Sequence, residues 1–226
     1  MKHRLFLILI ATVILGGCIG LFTQEPPIKC DILFVPPLQK HIGQPLEFTE
    51  ALRILESTYG IQERDAITKQ YPDRQAWNVR WTSEGFTFEL RGERGYLSQI
   101  LVYPQRVEFT AEQIFQCIEK SPEWYRALYG PQMERPHLDY LIEMWELSTG
   151  TFIGIQGDAK SVDELPTIIP NLPVTALIMV EPGTIESVFG KTAVYYGYSD
   201  FSKIPESLRP KPWPGDWQEI EFVQGW

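Results

Sequence analysis

Histidine is scarce in this chain. Of three in 226 residues, His3 sits at the extreme amino terminus and only His41 and His137 remain in the body. Neither stands at ligand spacing from a cysteine, an aspartate or the other histidine, so no zinc or iron site is expected. Catalytic signatures are lacking too. There is no Gly-x-Ser-x-Gly elbow, no Ser/Lys dyad motif, no phosphate-cradling glycine loop and no His-Glu-x-x-His run, which argues against hydrolase and nucleotide chemistry and leaves no cofactor to assign. Positive charge is in deficit: 20 Lys and Arg against 29 Asp and Glu give a net charge of −9. Such a body lacks the basic footprint that nucleic acid requires, and it does not adhere electrostatically to anionic lipid. A long hydrophobic run is missing as well. The apolar stretch Leu5 to Leu15 spans only about 16 Å as a helix, against a hydrocarbon core of about 30 Å, so no permanent transmembrane helix is expected.

What that stretch does have is the form of a secretory signal. Lys2, His3 and Arg4 make a basic head, Leu5 to Leu15 the apolar centre, and Leu15-Gly16-Gly17-Cys18 a small-residue close before a cysteine. These last four residues resemble the lipobox of bacterial lipoproteins. The resemblance implies a diacylglycerol on the Cys18 sulfur, cleavage before Cys18 and acylation of the new amino terminus. Two or more acyl chains hold a protein stably to a bilayer where one does not. Ile19 is not the aspartate associated with inner-membrane retention, so the implied address is the outer membrane of a two-membrane cell, or the outer face of a single membrane. Loss of residues 1–17 removes Lys2 and Arg4, leaving 209 residues with a charge near −11.

Only Cys30 and Cys117 remain beside Cys18. An even pair in an exported chain reads either as a disulfide or as two buried free thiols, and neither cysteine has redox or metal CxxC spacing.

Residues 18–29, with Gln24-Glu25-Pro26-Pro27, form an extended tether. Asp31 to Val35, ended by Pro36-Pro37, is predicted as a strand. Thr49 is the expected N-cap of a helix through Leu52, Leu55 and Tyr59, stopped by Gly60. Trp77, Val79 and Trp81, then Phe86, Phe88 and Leu90, then Leu97 to Tyr103 read as a three-strand meander turning at Ser83-Glu84-Gly85 and at Gly92 to Gly95. The order then restarts. Gln99 to Pro104 echoes Asp31 to Pro36, and Thr110 with Gln113 has capping-box spacing ahead of Ile114, Phe115 and Ile118. Ser121-Pro122 is predicted to open a second helical piece carrying Trp124, Tyr125 and Leu128, and Leu141 to Leu147 with Thr151 to Ile155 make a hairpin about Ser148-Thr149-Gly150. Val174 to Val180 is a further strand, followed by a short helix around Thr184 to Phe189 and a last strand, Ala193 to Tyr198. Pro210, Pro212, Trp213, Pro214, Trp217 and Trp226 close the chain as an extended arm whose rings pack on the sheet.

The expected architecture is therefore α+β: two tandem helix–antiparallel β-meander repeats, residues 30–104 and 105–182, forming one curved sheet with both helices on one face, and residues 183–226 appended as helix, strand and arm. Coincidence of common punctuation is the alternative to duplication. A cysteine just before the first predicted strand, a Thr-led helix bearing Cys117 and then Pro122-Glu123, and an aromatic hairpin with a central glycine resemble a loose group of uncharacterised bacterial lipoproteins. Helix followed by meander is similar to the outer-membrane assembly lipoproteins of the SmpA type, and its duplication to the fold of the β-lactamase-inhibitor protein. Ser121 replaces the glycine expected before Pro122. The resemblance implies a fold and a compartment, and no activity.

Function is thus expected to be non-catalytic: a lipid-anchored envelope module that binds a protein partner or serves as a scaffold. The alternative is an envelope protein that binds glycan or acts on polysaccharide. Glu143 with Glu146, or Asp163 with Glu164, are the acidic pairs such an enzyme would use, and a solvated face is the better account of them. Trp213 and Trp217 are the rings least committed to a core and thus the candidate contacts for a ligand or partner. An enzyme needs a cleft in which carboxylates converge, whereas a scaffold needs only an exposed patch or an open sheet edge; no such cleft is expected.

Overall fold

A computed structural model describes residues 30–132, 137–192 and 201–225. The signal, Cys18, the tether, the strand expected over Ala193 to Tyr198 and Trp226 lie outside the described residues. The alternating aromatic stretches build the first half of a sheet: β1 (Ile67–Tyr71), β2 (Ala76–Ser83), β3 (Phe86–Glu93) and β4 (Tyr96–Pro104), antiparallel throughout. The meander is as expected, with β1 as an added strand at its edge. Glu84-Gly85 and Arg94-Gly95 turn the chain with positive φ at both residues, the backbone hand that matches strand twist in a tight hairpin. Gly92 has a different use. A Cβ there would lie 2.0 Å from the Trp77 ring, so the absent side chain lets that indole lie flat across β3.

The second half is β5 (Trp124–Pro131), β6 (Leu138–Glu146), β7 (Thr151–Ala159) and β8 (Ala176–Val180). Strand order is β1-β2-β3-β4-β8-β7-β6-β5, so β4 and β8 meet in the middle, and the sheet is open. The arm runs along the outer side of β5, where β9 (Lys211–Pro212) pairs antiparallel and β10 (Phe222–Gln224) parallel. Trp124 to Leu128 is therefore strand, where a helix opening at Ser121-Pro122 was expected. Tyr125 and Ala127 enter the core on one face while Arg126 and Leu128 are buried on the other, and a strand buried on both faces loses the alternation that would identify it.

Helices cover the first face. α1 (Cys30–Phe34) corrects the strand expected there, so the echo between Asp31 to Pro36 and Gln99 to Pro104 is not structural. Leu33 and Phe34 dock into the core from this short helix, Cys30 bonds to Cys117, and a left-handed Val35 turns the chain into α2 (Pro36–Gln39). α3 (Phe48–Tyr59) begins one residue before the expected cap, with extended Glu47 at the N-cap and Phe48 edge-on to Trp77, and it ends at left-handed Gly60 as expected. It buries Ala51, Ile54 and Leu55, one stripe at i, i+3 and i+4. α4 (Ala111–Ile118) has the capping box, Thr110 and Gln113 each accepting the other's backbone N–H, and buries Ala111, Ile114 and Phe115.

The appended helix, whose face the sequence left open, lies on the other side of the sheet. α5 (Ile185–Thr192) runs through Gly190 and packs Ile185, Val188 and Phe189 on Leu101, Trp145, Phe152, Ile178 and Val180. Those strand residues alternate with Ile100, Met144, Ile153, Leu177 and Met179 of the first-face core, so α5 lies on the second face.

Candidate functional site

α5 and the segment 201–208 cover the second face around β4, β8, β7, β6 and the Trp124–Arg126 end of β5. Over β1 to β3 that face carries polar side chains, and among the described residues no helix is packed on it. Strand alternation decides which residues stand there: Trp77, Val79, Trp81, Phe88 and Leu90 take the core positions, leaving Asn78, Arg80, Thr82, Thr87, Glu89 and Arg91 on the opposite side.

Their centre is Glu89, of which 1% is exposed. Arg80, its cross-strand partner, donates Nε at 3.0 Å and Nη2 at 2.5 Å to Oε2. Arg91, two residues along the same strand, donates Nε at 2.7 Å to Oε1. Burial pushes the Glu89 carboxyl up, but the Arg91 and Arg80 guanidiniums outweigh it and hold the group below its usual range, so it is ionised. The row continues into β4: Arg91 Nη1 donates to Gln99 Oε1 at 3.4 Å, and Gln99 Nε2 donates to the Lys191 carbonyl at the end of α5. The arrangement fixes two guanidiniums on one carboxylate beneath an open surface. Two grooves flank it, of about 1030 Å³ towards Tyr71 and Tyr96 and about 890 Å³ towards Thr82 and Thr87, and Arg91 lines both.

The acidic pairs singled out in the sequence are not brought together. Glu143 and Glu146 are three apart on β6 and therefore point to opposite faces. Glu146 caps its own hairpin, accepting from the N–H and hydroxyl groups of Ser148 and Thr149. Burial raises its carboxyl, and the Ser148 and Thr149 bonds more than reverse that. Glu143, 1% exposed, pairs across the strands with Arg126, 4% exposed, whose Nε lies 2.5 Å from Oε2. Burial keeps the Glu143 carboxyl above the usual range in spite of Arg126. Asp163 and Glu164 lie in a surface 3₁₀ turn. Among the described residues no group of three His, Cys, Asp or Glu converges to hold a metal.

Comparison of the chain with protein-family models, curated proteins and solved structures finds no match.

Trp213 and Trp217 are half-buried, with ring centroids 4.9 Å apart, edge to face. Trp213 also stands perpendicular to Tyr125 and Trp217 tilts against Phe115, so most of both rings is spent fixing the arm to α4 and β5. Their outer edges line a shallow recess of about 350 Å³ beside Glu112 and Lys120. Cys30 and Cys117 are joined, with Cα atoms 5.5 Å apart. The residues that the sequence reading passed over are Arg80, Glu89, Arg91 and Gln99. Their signal was present: they are the polar alternates of three strands read only for their aromatic positions, and Glu89 and Arg91 flank the buried Leu90.

Proposed function

We propose that this chain is a non-catalytic, lipid-anchored module of the cell envelope that binds an extended segment of a partner protein along β1. The observation that carries this reading is the edge itself. β1 pairs with β2 on one side, and among the described residues nothing pairs with the other. Such an edge offers a row of main-chain donors and acceptors to an added strand. Ile67 and Tyr71 stand on it 64% and 38% exposed, with Lys69 between them on the same face. That sequence suits a partner strand with apolar residues opposite Ile67 and Tyr71 and a carboxylate opposite Lys69. A second copy pairing antiparallel about the strand centre would instead set Lys69 against Lys69, a like-charge contact that destabilises.

The lipobox reading of Leu15-Gly16-Gly17-Cys18 supplies the anchor. Eleven residues lie between Cys18 and Cys30, a reach of at most about 40 Å between lipid and body. The Cys30–Cys117 bridge supports export, since disulfides persist in oxidising compartments. Duplication is part of the same reading. Helix α3 leads to four strands ending at β4, and helix α4 to four strands ending at β8, with the two last strands paired in the middle. This mirrored order supports two copies within residues 30–104 and 105–182.

Crosslinking from the edge tests the partner. With a photo-reactive residue at Ile67 in the membrane-anchored chain, one adduct with a different protein is expected, through a peptide bearing Asp or Glu. It is expected to be absent when the same residue replaces Val162, exposed elsewhere, and to fall about tenfold in Lys69→Glu, as loss of a steering charge pair requires. Adducts with the chain itself, or the same adducts from both positions, contradict the reading.

A further inference from the structure

We propose that the two grooves meeting at Arg91 bind an anionic saccharide, with Arg91 taking its carboxylate or phosphate. Arg91 is held from behind: Glu89 accepts from Nε and Gln99 from Nη1, while the side chain stays 34% exposed and lines both grooves. Its rotamer freedom is already lost in the free protein, so an anion meeting the guanidinium orders little further. A guanidinium fork matches a carboxylate or a phosphate in two parallel bonds. Gln99, tied to the Lys191 carbonyl, is the positioning residue for it.

The walls specify the rest of the ligand. Tyr71 and Tyr96 expose their rings at the rim of one groove, Tyr96 to 49%, and flat aromatic faces take the C–H faces of a sugar ring. Asn78 and Ser98 line the same groove, and the Thr82 and Thr87 hydroxyls, 3.3 Å apart, line the other, all suited to sugar hydroxyls. Volumes of about 1030 and 890 Å³ accommodate more than one sugar ring. Five cationic side chains line the two grooves against four carboxylates, on a chain whose net charge is −9. Each of the five is ion-paired, with Glu89, Glu93, Glu181 or Asp73, so the lining is close to neutral and recognition of an anion falls to the Arg91 fork. The grooves share Ile67 and Tyr71 with the β1 edge, but Arg91 and Tyr96, which carry the inference, lie on β3 and β4, so it does not rest on the partner strand.

Calorimetric titration of the full chain with trigalacturonate, glucose 6-phosphate and neutral cellotriose tests it. At least one anionic sugar is expected to bind at least about tenfold more tightly than cellotriose, and more weakly as salt rises from about 50 to 300 mM. Which of the two binds distinguishes a carboxylate from a phosphate ligand. Arg91→Gln is expected to reduce that affinity about tenfold or more, and Tyr96→Ala severalfold with an unchanged melting temperature. Absence of binding by both anionic sugars, or equal binding of cellotriose, overturns the proposal. So does unaltered affinity in folded Arg91→Gln; should that variant fail to fold, unaltered affinity in Tyr96→Ala does the same. A failed titration leaves the crosslinking result at Ile67 standing, and the reverse also holds.

Discussion

Loss of the Cys30–Cys117 bridge is expected to destabilise the domain by about 4 to 5 kcal/mol, the chain-entropy value for a cross-link closing so long a loop. The bonded residues are 87 apart in sequence, so in the unfolded chain the bridge ties α1 to α4 across the whole first half of the sheet. In the folded protein α1 and α2 are held besides by the burial of Leu33, Phe34 and Leu38. They are 5 and 4 residues long, too short to persist as isolated helices, and depend on those side chains staying docked. For a domain of this size the loss corresponds to a fall in Tm of roughly 10 to 20 °C. Thermal unfolding with and without reductant, and of the Cys30→Ala/Cys117→Ala double variant, measures it. A fall of under about 3 °C by both routes would show that the bridge does not restrain the unfolded chain in this way.

Arg126→Met is expected to cost about 3 to 5 kcal/mol at neutral pH, because it strands Glu143 as an uncompensated buried charge. More than the ion pair is lost. Arg126 Cζ lies 5.0 Å from the centre of the Phe189 ring, and Nη1 donates to the Leu208 carbonyl at 3.2 Å, so one side chain joins β5, α5 and the segment 201–208. The pH dependence follows from Glu143. Burial already raises its pKa, and removing the guanidinium removes the opposing influence, so the folded value rises further above the unfolded one. A carboxyl raised in this way favours the fold where it is protonated. The variant therefore loses stability as pH rises through the folded pKa and regains it on acidification towards the unfolded value of about 4.3. Urea unfolding at pH 7.5 and pH 5 is expected to show the larger deficit at pH 7.5, and Arg126→Met/Glu143→Leu is expected to recover much of it. An equal deficit at both pH values, or one below about 1 kcal/mol, contradicts this account.

The first meander, the β6–β7 hairpin, the capping box at Thr110 and the packing of the tail tryptophans were legible because each rests on local rules: alternation, turn glycines, an N-cap and ring content. Residues whose structure is decided at long range were not. Asp31 to Val35 has the composition of a strand, yet it lies among helices on the first face, tied through Cys30 to a residue 87 positions away. Trp124 to Leu128 has the content of a helix or a strand, and only its place between β6 and the arm decides. The side of the sheet taken by α5 depends on Leu101, Trp145 and Ile178 forming a second apolar face, which three separate strands contribute one residue at a time. The candidate site was hidden for the same reason. Arg80, Glu89, Arg91 and Gln99 are unremarkable singly, and register alone sets them in a row.

Intact mass spectrometry of the protein extracted from cell membranes tests most directly whether this body is moored outside the cytoplasm. A chain beginning at Cys18 and heavier than its polypeptide by two or three acyl groups is predicted, with the Cys18→Ser variant unacylated and gone from the membrane fraction. A membrane-bound wild-type chain that begins at Met1, or carries no added acyl mass, would contradict the account.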